Sequence, residues 1–164
     1  MLRRPTGTPS ISGLTITNGD DNARSSDDSG GAIALYYSDA TFTFANLVVS
    51  SSYAYNDGGG LWCNDGAANA IIMNSTFTDN DADSGGGALY FSCGDLTVTG
   101  STFTNNDAAS SGGAMYFDGE DLVVSGSTIT ESDAGGGGAW CGLDAGRRTR
   151  DGHRLAEQRG DRHD

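Results

Sequence analysis

Five Gly-Gly pairs, each followed by Ala or Leu, recur at nearly even intervals along the chain. They are Gly30-Gly31-Ala32, Gly59-Gly60-Leu61, Gly86-Gly87-Ala88, Gly112-Gly113-Ala114 and Gly137-Gly138-Ala139. Counted between the second glycines, the intervals are 29, 27, 26 and 25 residues. This constrains the fold strongly, because a unit so short cannot bury a core alone and must stack on its neighbours. The period is too short for a propeller blade and too rich in glycine for helical repeats. The clearest unit is SGGGALYFSCGDLTVTGSTFTNND, residues 84–107; a near copy spans 110–133 and a looser one 57–81.

Within a unit, three pieces read as strands: Ala88-Leu89-Tyr90-Phe91, Leu96-Thr97-Val98-Thr99 and Ser101-Thr102-Phe103-Thr104. Alternation and β-branched residues favour extended backbone. The Gly, Asn and Asp between them favour turns. Three short strands per unit suit one coil of a parallel β-helix, in which successive coils lie about 4.8 Å apart. Equivalent residues should then stack in columns. One column reads Ile16, Val49, Phe77, Phe103, Ile129; another Phe42, Ala70, Leu96, Leu122; a third Phe44, Ile72, Val98, Val124. Their polar neighbours, such as Thr97, Thr99, Thr102 and Thr104, place these columns inside. On the first strand, Ile33, Trp62, Leu89, Met115 and Trp140 form one face. Ala32, Leu61, Ala88, Ala114 and Ala139 form the other, and periodicity does not choose between them.

The length, 164 residues, is that of a single domain, and the 26 glycines with 36% apolar residues would by themselves suit a disordered chain. Apolar residues at fixed repeat positions argue for a packed solenoid instead. Residues 25–146 hold 14 Asp and 2 Glu with no Lys, Arg or His, a charge of −16. Nucleic acid, which needs a cationic surface, is excluded as a partner, and anionic polysaccharides are disfavoured on the same ground. No apolar run is long enough to span a membrane, and Met1 to Ser10 lacks the apolar core of a signal peptide.

The cysteines are Cys63, Cys93 and Cys141. Counted from the glycines, Cys63 and Cys141 share a place in coils three apart, which is beyond disulfide reach. Cys93 sits three positions further along its own coil; buried or half-buried thiols are expected, and the odd count also allows a partner in a coil missing from this sequence. No Cys/His cluster points to a metal.

Residues 1–10 read as a disordered lead and 11–144 as the solenoid. Ile11 to Asn18 aligns with Val98 to Asn105, so the first coil begins partway round. Gly19 to Asp28 reads as a protruding polar loop. Coils start near Ser29, Gly58, Gly85 and Ser111, and a fifth begins at Gly135 and reaches about Leu143. Residues 145–164 change character, with six Arg and two His. This tail is either a solvated basic segment or an out-of-frame one: read one nucleotide later, the codons for 149–159 permit LVTVTGSLSNG, similar to LTVTGSTFTNN at 96–106. Since a solenoid needs caps and unpaired edges invite pairing, end-to-end self-association is expected.

Gly30-Gly31-Ala32-Ile33, with Phe77-Thr78-Asp79-Asn80 and Phe103-Thr104-Asn105-Asn106, resembles the GGA[IL]/FxxN repeat of the polymorphic outer-membrane proteins. More broadly, the chain resembles bacterial surface proteins with right-handed parallel β-helix repeats, over Ile11 to about Leu143. Val49-Ser50-Ser51-Ser52 and Ile129-Thr130-Glu131-Ser132 depart from the second half of the motif. The resemblance implies an all-β, right-handed, single-stranded parallel β-helix of about four full coils plus partial ends. It implies a non-catalytic structural or adhesive role, extracellular or at the cell surface.

The alternative is a fragment of a pectin-lyase-like enzyme acting on polysaccharide. By resemblance, such lyases use Arg or Lys beside Ca²⁺-bound substrate, and none lies between Ser25 and Gly146. Carboxylates suited to acid–base work are plentiful, but no His or base accompanies them, and no catalytic residue is assigned. A candidate Ca²⁺ site is Asp79, Asp81 and Asp83, with Asp107 and Asp133 from the next coils in the column of Asp81. Stacked carboxylates about 5 Å apart repel unless a cation bridges them. The same residues also make ordinary solvated turns. Asn80 and Asn106 are read as structural amides that bond from coil to coil. Tyr36, Tyr37, Tyr90 and Tyr116 lie on or beside the first strand. If they face out, they form a contact stripe for a protein or a neutral carbohydrate.

Overall fold

The structure, a computed structural model, describes residues 8–21, 29–136, 138 and 140–142. Twenty strands follow in five groups of four. The first coil holds β1 (Ser10–Ser12), β2 (Thr15–Thr17), β3 (Asp20–Asp21) and β4 (Ile33–Ser38). The second holds β5 (Thr41–Ala45), β6 (Val48–Ser50), β7 (Tyr53–Ala54) and β8 (Leu61–Gly66). The third holds β9 (Asn69–Met73), β10 (Thr76–Thr78), β11 (Asp81–Ala82) and β12 (Leu89–Ser92). Next come β13 (Leu96–Thr99), β14 (Thr102–Thr104), β15 (Asp107–Ala108) and β16 (Met115–Phe117). The last are β17 (Leu122–Ser125), β18 (Thr128–Thr130), β19 (Asp133–Ala134) and β20 (Trp140–Gly142).

Every fourth strand pairs, giving four five-stranded sheets ordered β1-β5-β9-β13-β17, β2-β6-β10-β14-β18, β3-β7-β11-β15-β19 and β4-β8-β12-β16-β20. The pairings are parallel and in register from coil to coil. The result is a parallel β-solenoid of about four turns. Each coil has four strands, not the three expected. The additional one is only two residues long, Asp-Ala in three of the five coils, too short to show alternation. Among the described residues, no helix is long and apolar enough to cross a membrane.

The three inward columns stand as expected. Ile16, Val49, Phe77, Phe103 and Ile129 are in register, and Phe77 and Phe103 stack with ring centroids 5.0 Å apart. Phe42, Ala70, Leu96 and Leu122 form the second, and Phe44, Ile72, Val98 and Val124 the third, which Ile11 begins. Phe44, Ile72, Phe77, Leu96, Val98 and Phe103 are fully buried, so the core is continuous along the rod. Each fully buried Leu, Ile or Phe contributes about 1.5–3 kcal/mol relative to exposure.

The first strand of the unit resolves differently from the glycine count. Ile33, Leu61, Leu89, Met115 and Trp140 share a column, with Leu61, Leu89 and Met115 fully buried. Trp62 belongs instead with Ala34, Tyr90, Tyr116 and Cys141. The second coil is offset by one residue from the glycine count. Gly60 occupies the place that Ala88 holds in the next coil, so Gly59, not Gly60, matches Gly87. A Cβ on Gly60 would lie 2.6 Å from the Ala88 carbonyl oxygen and 3.2 Å from Phe77 Cδ1, which explains the glycine.

The corrected register also overturns the expectation of free thiols. Cys63 and Cys93 form a disulfide, with Cα atoms 6.1 Å apart. Cys63 lies opposite Phe91, so Cys93 has the same inward parity one coil on. The chain bends just after Ser92, and that bend brings Cys93 back over Cys63. Counting along straight strands hid this approach. Nor do Cys63 and Cys141 share a column, because Cys63 leads through Phe91 and Phe117 to Gly142.

Three corners per coil use left-handed backbone. Asn46, Asn74, Gly100 and Gly126 (φ between 48° and 60°) turn the chain between the first and second strands of a coil. Asn18, Ser51, Asp79, Asn105 and Glu131 (φ between 49° and 56°) turn it between the second and third. Asn, Asp and Gly tolerate this conformation best. Gly30, Gly58, Gly86 and Gly112 make the corner before the fourth strand, with φ from 64° to 79°. The glycine after each is needed for a different reason: a Cβ on Gly31, Gly59, Gly87 or Gly113 would overlap the carbonyl of Tyr53, Asp81, Asp107 or Asp133. The repeated pair thus combines one conformational requirement with one of closest approach.

Candidate functional site

The FxxN signature reads out as a buried polar ladder. Asn80 and Asn106 are almost fully buried. The backbone N–H of Ser52 donates to Asn80 Oδ1 (3.2 Å), that of Asn80 to Asn106 Oδ1 (3.1 Å), and that of Asn106 to Ser132 Oγ (3.1 Å). Asn80 Nδ2 donates to Val49 O (3.1 Å) and Asn106 Oδ1 (3.0 Å), and Asn106 Nδ2 to Phe77 O (3.0 Å) and Thr104 O (3.1 Å). A serine ladder does the same at the preceding corner, where Leu47, Ser75 and Ser101 donate their N–H groups to Ser75, Ser101 and Ser127 Oγ, each at 3.1 Å. These chains satisfy corner amides that would otherwise be buried without partners. They are structural, as expected for the asparagines.

The candidate Ca²⁺ residues are spread over the third sheet and the corner before it. Asp81, Asp107 and Asp133 do form one column in the third sheet, with Tyr53 and Asp20 above them. Burial first, then the charge of Asp107, raises the Asp81 carboxyl above its ordinary value, against an opposing hydrogen bond from the Ala82 backbone. Asp107 Oδ1 accepts the Asp133 N–H at 3.2 Å. Asp83 instead accepts from the Tyr53 hydroxyl; burial and that bond push the phenol up to about 12. Asp79 lies in the preceding corner, its oxygens taken by Thr78 Oγ1 (3.2 Å) and Asn105 Nδ2 (3.3 Å). Among the described residues, no group of three or more His, Cys, Asp or Glu side chains is gathered to hold a metal ion.

The fourth sheet carries the aromatic stripe, and it faces outward. One outward column reads Ala34, Trp62, Tyr90, Tyr116; the next reads Tyr36, Asn64, Ser92 and then Asp118. Tyr90 and Tyr116 stack with centroids 4.8 Å apart and planes within 4°. Tyr36, 48% exposed, packs on Trp62 at 4.8 Å and a 52° tilt. The Tyr37 side chain lies outside the described residues. Asp57 borders the stripe: its Oδ1 accepts the Gly85 N–H at 2.8 Å. A Cβ on Gly85 would touch both that oxygen (3.3 Å) and Tyr90 Cδ2 (3.5 Å). Burial, then the charge of Asp57, then Tyr116 and Asp118, push the Tyr90 hydroxyl up to about 12. It therefore stays neutral and protonated at physiological pH, able both to donate and to accept.

This cross-section, four parallel sheets closed around stacked apolar and asparagine columns, defines a right-handed parallel β-solenoid. The chain belongs to the family described as "Right handed beta helix region", whose model matches residues 4–138. Searches of the curated proteins and of the solved structures found no match.

Proposed function

We propose that this chain is a non-catalytic structural segment of an extracellular or surface-displayed protein, which presents its fourth sheet to a partner. The observation that carries the reading is the outward Tyr36, Tyr90, Tyr116 stripe, with Trp62 packed beneath Tyr36, on a rod whose described interior is filled by apolar columns and amide ladders. The Cys63–Cys93 disulfide supports a location outside the reducing cytoplasm, where such bonds persist. The resemblance to polymorphic outer-membrane repeats points the same way. Edge strands β1–β4 and β17–β20 have a neighbour on one side only among the described residues, which favours stacking with further coils or a second copy.

Fractionating the source cells tests the location: the chain should be found at the surface or in the medium, and a wholly cytoplasmic pool would overturn this. Beads coated with the protein should adhere to cells or matrix and release no product from a panel of pectins and related polysaccharides. Release of unsaturated or reducing ends would restore the enzyme reading. The stacked carboxylates of Asp81, Asp107 and Asp133 keep a Ca²⁺ role open as charge relief. Calorimetric heat with a raised melting temperature at millimolar Ca²⁺ would support it, and neither effect would remove it.

A further inference from the structure

The stripe's geometry decides which chemistry it recognises. Tyr90 and Tyr116 turn their faces toward each other at 4.8 Å, so no sugar ring can slide between them. Tyr36 packs over Trp62 at 4.8 Å and a 52° tilt, and Trp62 is only 7% exposed. What remains toward solvent is mainly ring edges and hydroxyls, not the open flat faces on which a neutral sugar stacks. Around these lie carboxylates. Asp118 continues the outward face two residues beyond Tyr116, and the Gly85 N–H holds Asp57 in place beside Tyr90. A carboxylate accepts several donors, so one backbone bond leaves Asp57 room for more. No Lys, Arg or His occurs in residues 25–146 to neutralise either group, in a stretch carrying −16. The field over this face is therefore negative and raises the local concentration of cations.

We propose that the outward face of the fourth sheet docks an arginine-bearing segment of a partner protein, with guanidinium groups seated on Asp57 and Asp118 against the Tyr90–Tyr116 edge. This rests on the contact-surface reading above and names its partner. A guanidinium supplies a planar fan of donors matched to carboxylates, remains charged at every physiological pH, and is more weakly hydrated than an ammonium. The Tyr90 hydroxyl accepts a further N–H group. Charge complementarity thus favours a basic peptide over a neutral glycan, and over lysine where bidentate geometry matters.

The test is fluorescence anisotropy of a labelled Arg-Gly repeat peptide with the full chain, with a Lys-Gly peptide and a neutral β-glucan oligosaccharide in parallel. The arginine peptide should bind more tightly than the lysine peptide, and the glucan should not compete. Asp57→Asn/Asp118→Asn keeps shape and the Gly85 bond, and should weaken binding about five-fold or more, the scale of two charge contacts. Asp79→Asn/Glu131→Gln removes equal charge from the corner between the second and third sheets and should change it less than about two-fold. Tyr116→Leu should weaken it measurably, with circular dichroism and melting temperature confirming that each variant is folded. Equal losses in the two double variants would mean a diffuse field and would overturn the site. So would absent peptide binding or competition by the glucan. If cell adhesion persists while the arginine peptide fails to bind, this inference falls and the broader contact reading stands.

Discussion

At the scale of single residues, Asn106 is the most constrained side chain in the repeat. It takes two donors from Asn80 and gives its own two to Phe77 and Thr104. Asn106→Ala leaves those groups buried without partners, and should destabilise by about 2–4 kcal/mol in urea unfolding. Asp81 acts in the other direction. Its carboxyl is raised in the fold, by burial and by Asp107, so folding favours its protonated form. Its contribution is then most favourable below the unfolded aspartate value of about 3.9 and is lost as pH rises through the higher folded value. Asp81→Asn should raise the melting temperature at neutral pH and flatten its dependence on pH in the acid range. An unchanged slope would mean that the Asp81 carboxyl does not set it. The asparagine ladder was legible in the sequence because Asn80 and Asn106 recur at the same place after a buried Phe.

At the scale of the strand and its corner, legibility depended on how much each element alternates. Thr76-Phe77-Thr78 and Leu96-Thr97-Val98-Thr99 separate polar from apolar cleanly, so their inward faces follow from sequence. The fourth-sheet strands do not. Leu61-Trp62-Cys63 and Leu89-Tyr90-Phe91 are apolar or aromatic on both faces, because the outward face carries the stripe. Only the register separates them, and Gly60 displaced the marker used to set it. The two-residue strands are beyond pattern recognition, although Gly87 leaves a trace of them, since it clears the Asp107 carbonyl. Gly87→Ala should therefore cost several times more stability than Gly85→Ala. A Cβ on Gly85 meets nothing nearer than 3.3 Å, whereas one on Gly87 overlaps backbone that cannot rotate away. Overpacking of this kind costs about 1–3 kcal/mol or more. Comparing the two denaturation midpoints checks it.

At the scale of the whole molecule, the coils form a one-dimensional array in which each touches only its neighbours. The glycine period and stacked columns made that array readable; the cross-link was not, because it depends on a bend after Ser92. The disulfide joins residues 30 apart in sequence and fastens the second coil to the third. Replacing both cysteines by Ala should lower stability by about 3–4 kcal/mol. The loss should be specific to the unreduced protein: in reducing agent strong enough to open the bond, wild type and variant should unfold together.

That fastening also governs what happens when the rod is stretched from its two ends. Coils with no covalent link between them peel off one after another, each adding its full contour to the extension. The loop closed by Cys63 and Cys93, a sequence separation of 30, cannot join in, withholding roughly 100 Å of slack at about 3.3–3.6 Å per residue. In single-molecule pulling, adding a reductant should release that hidden length. The oxidation state of one bond would then set how far the rod extends before it becomes taut.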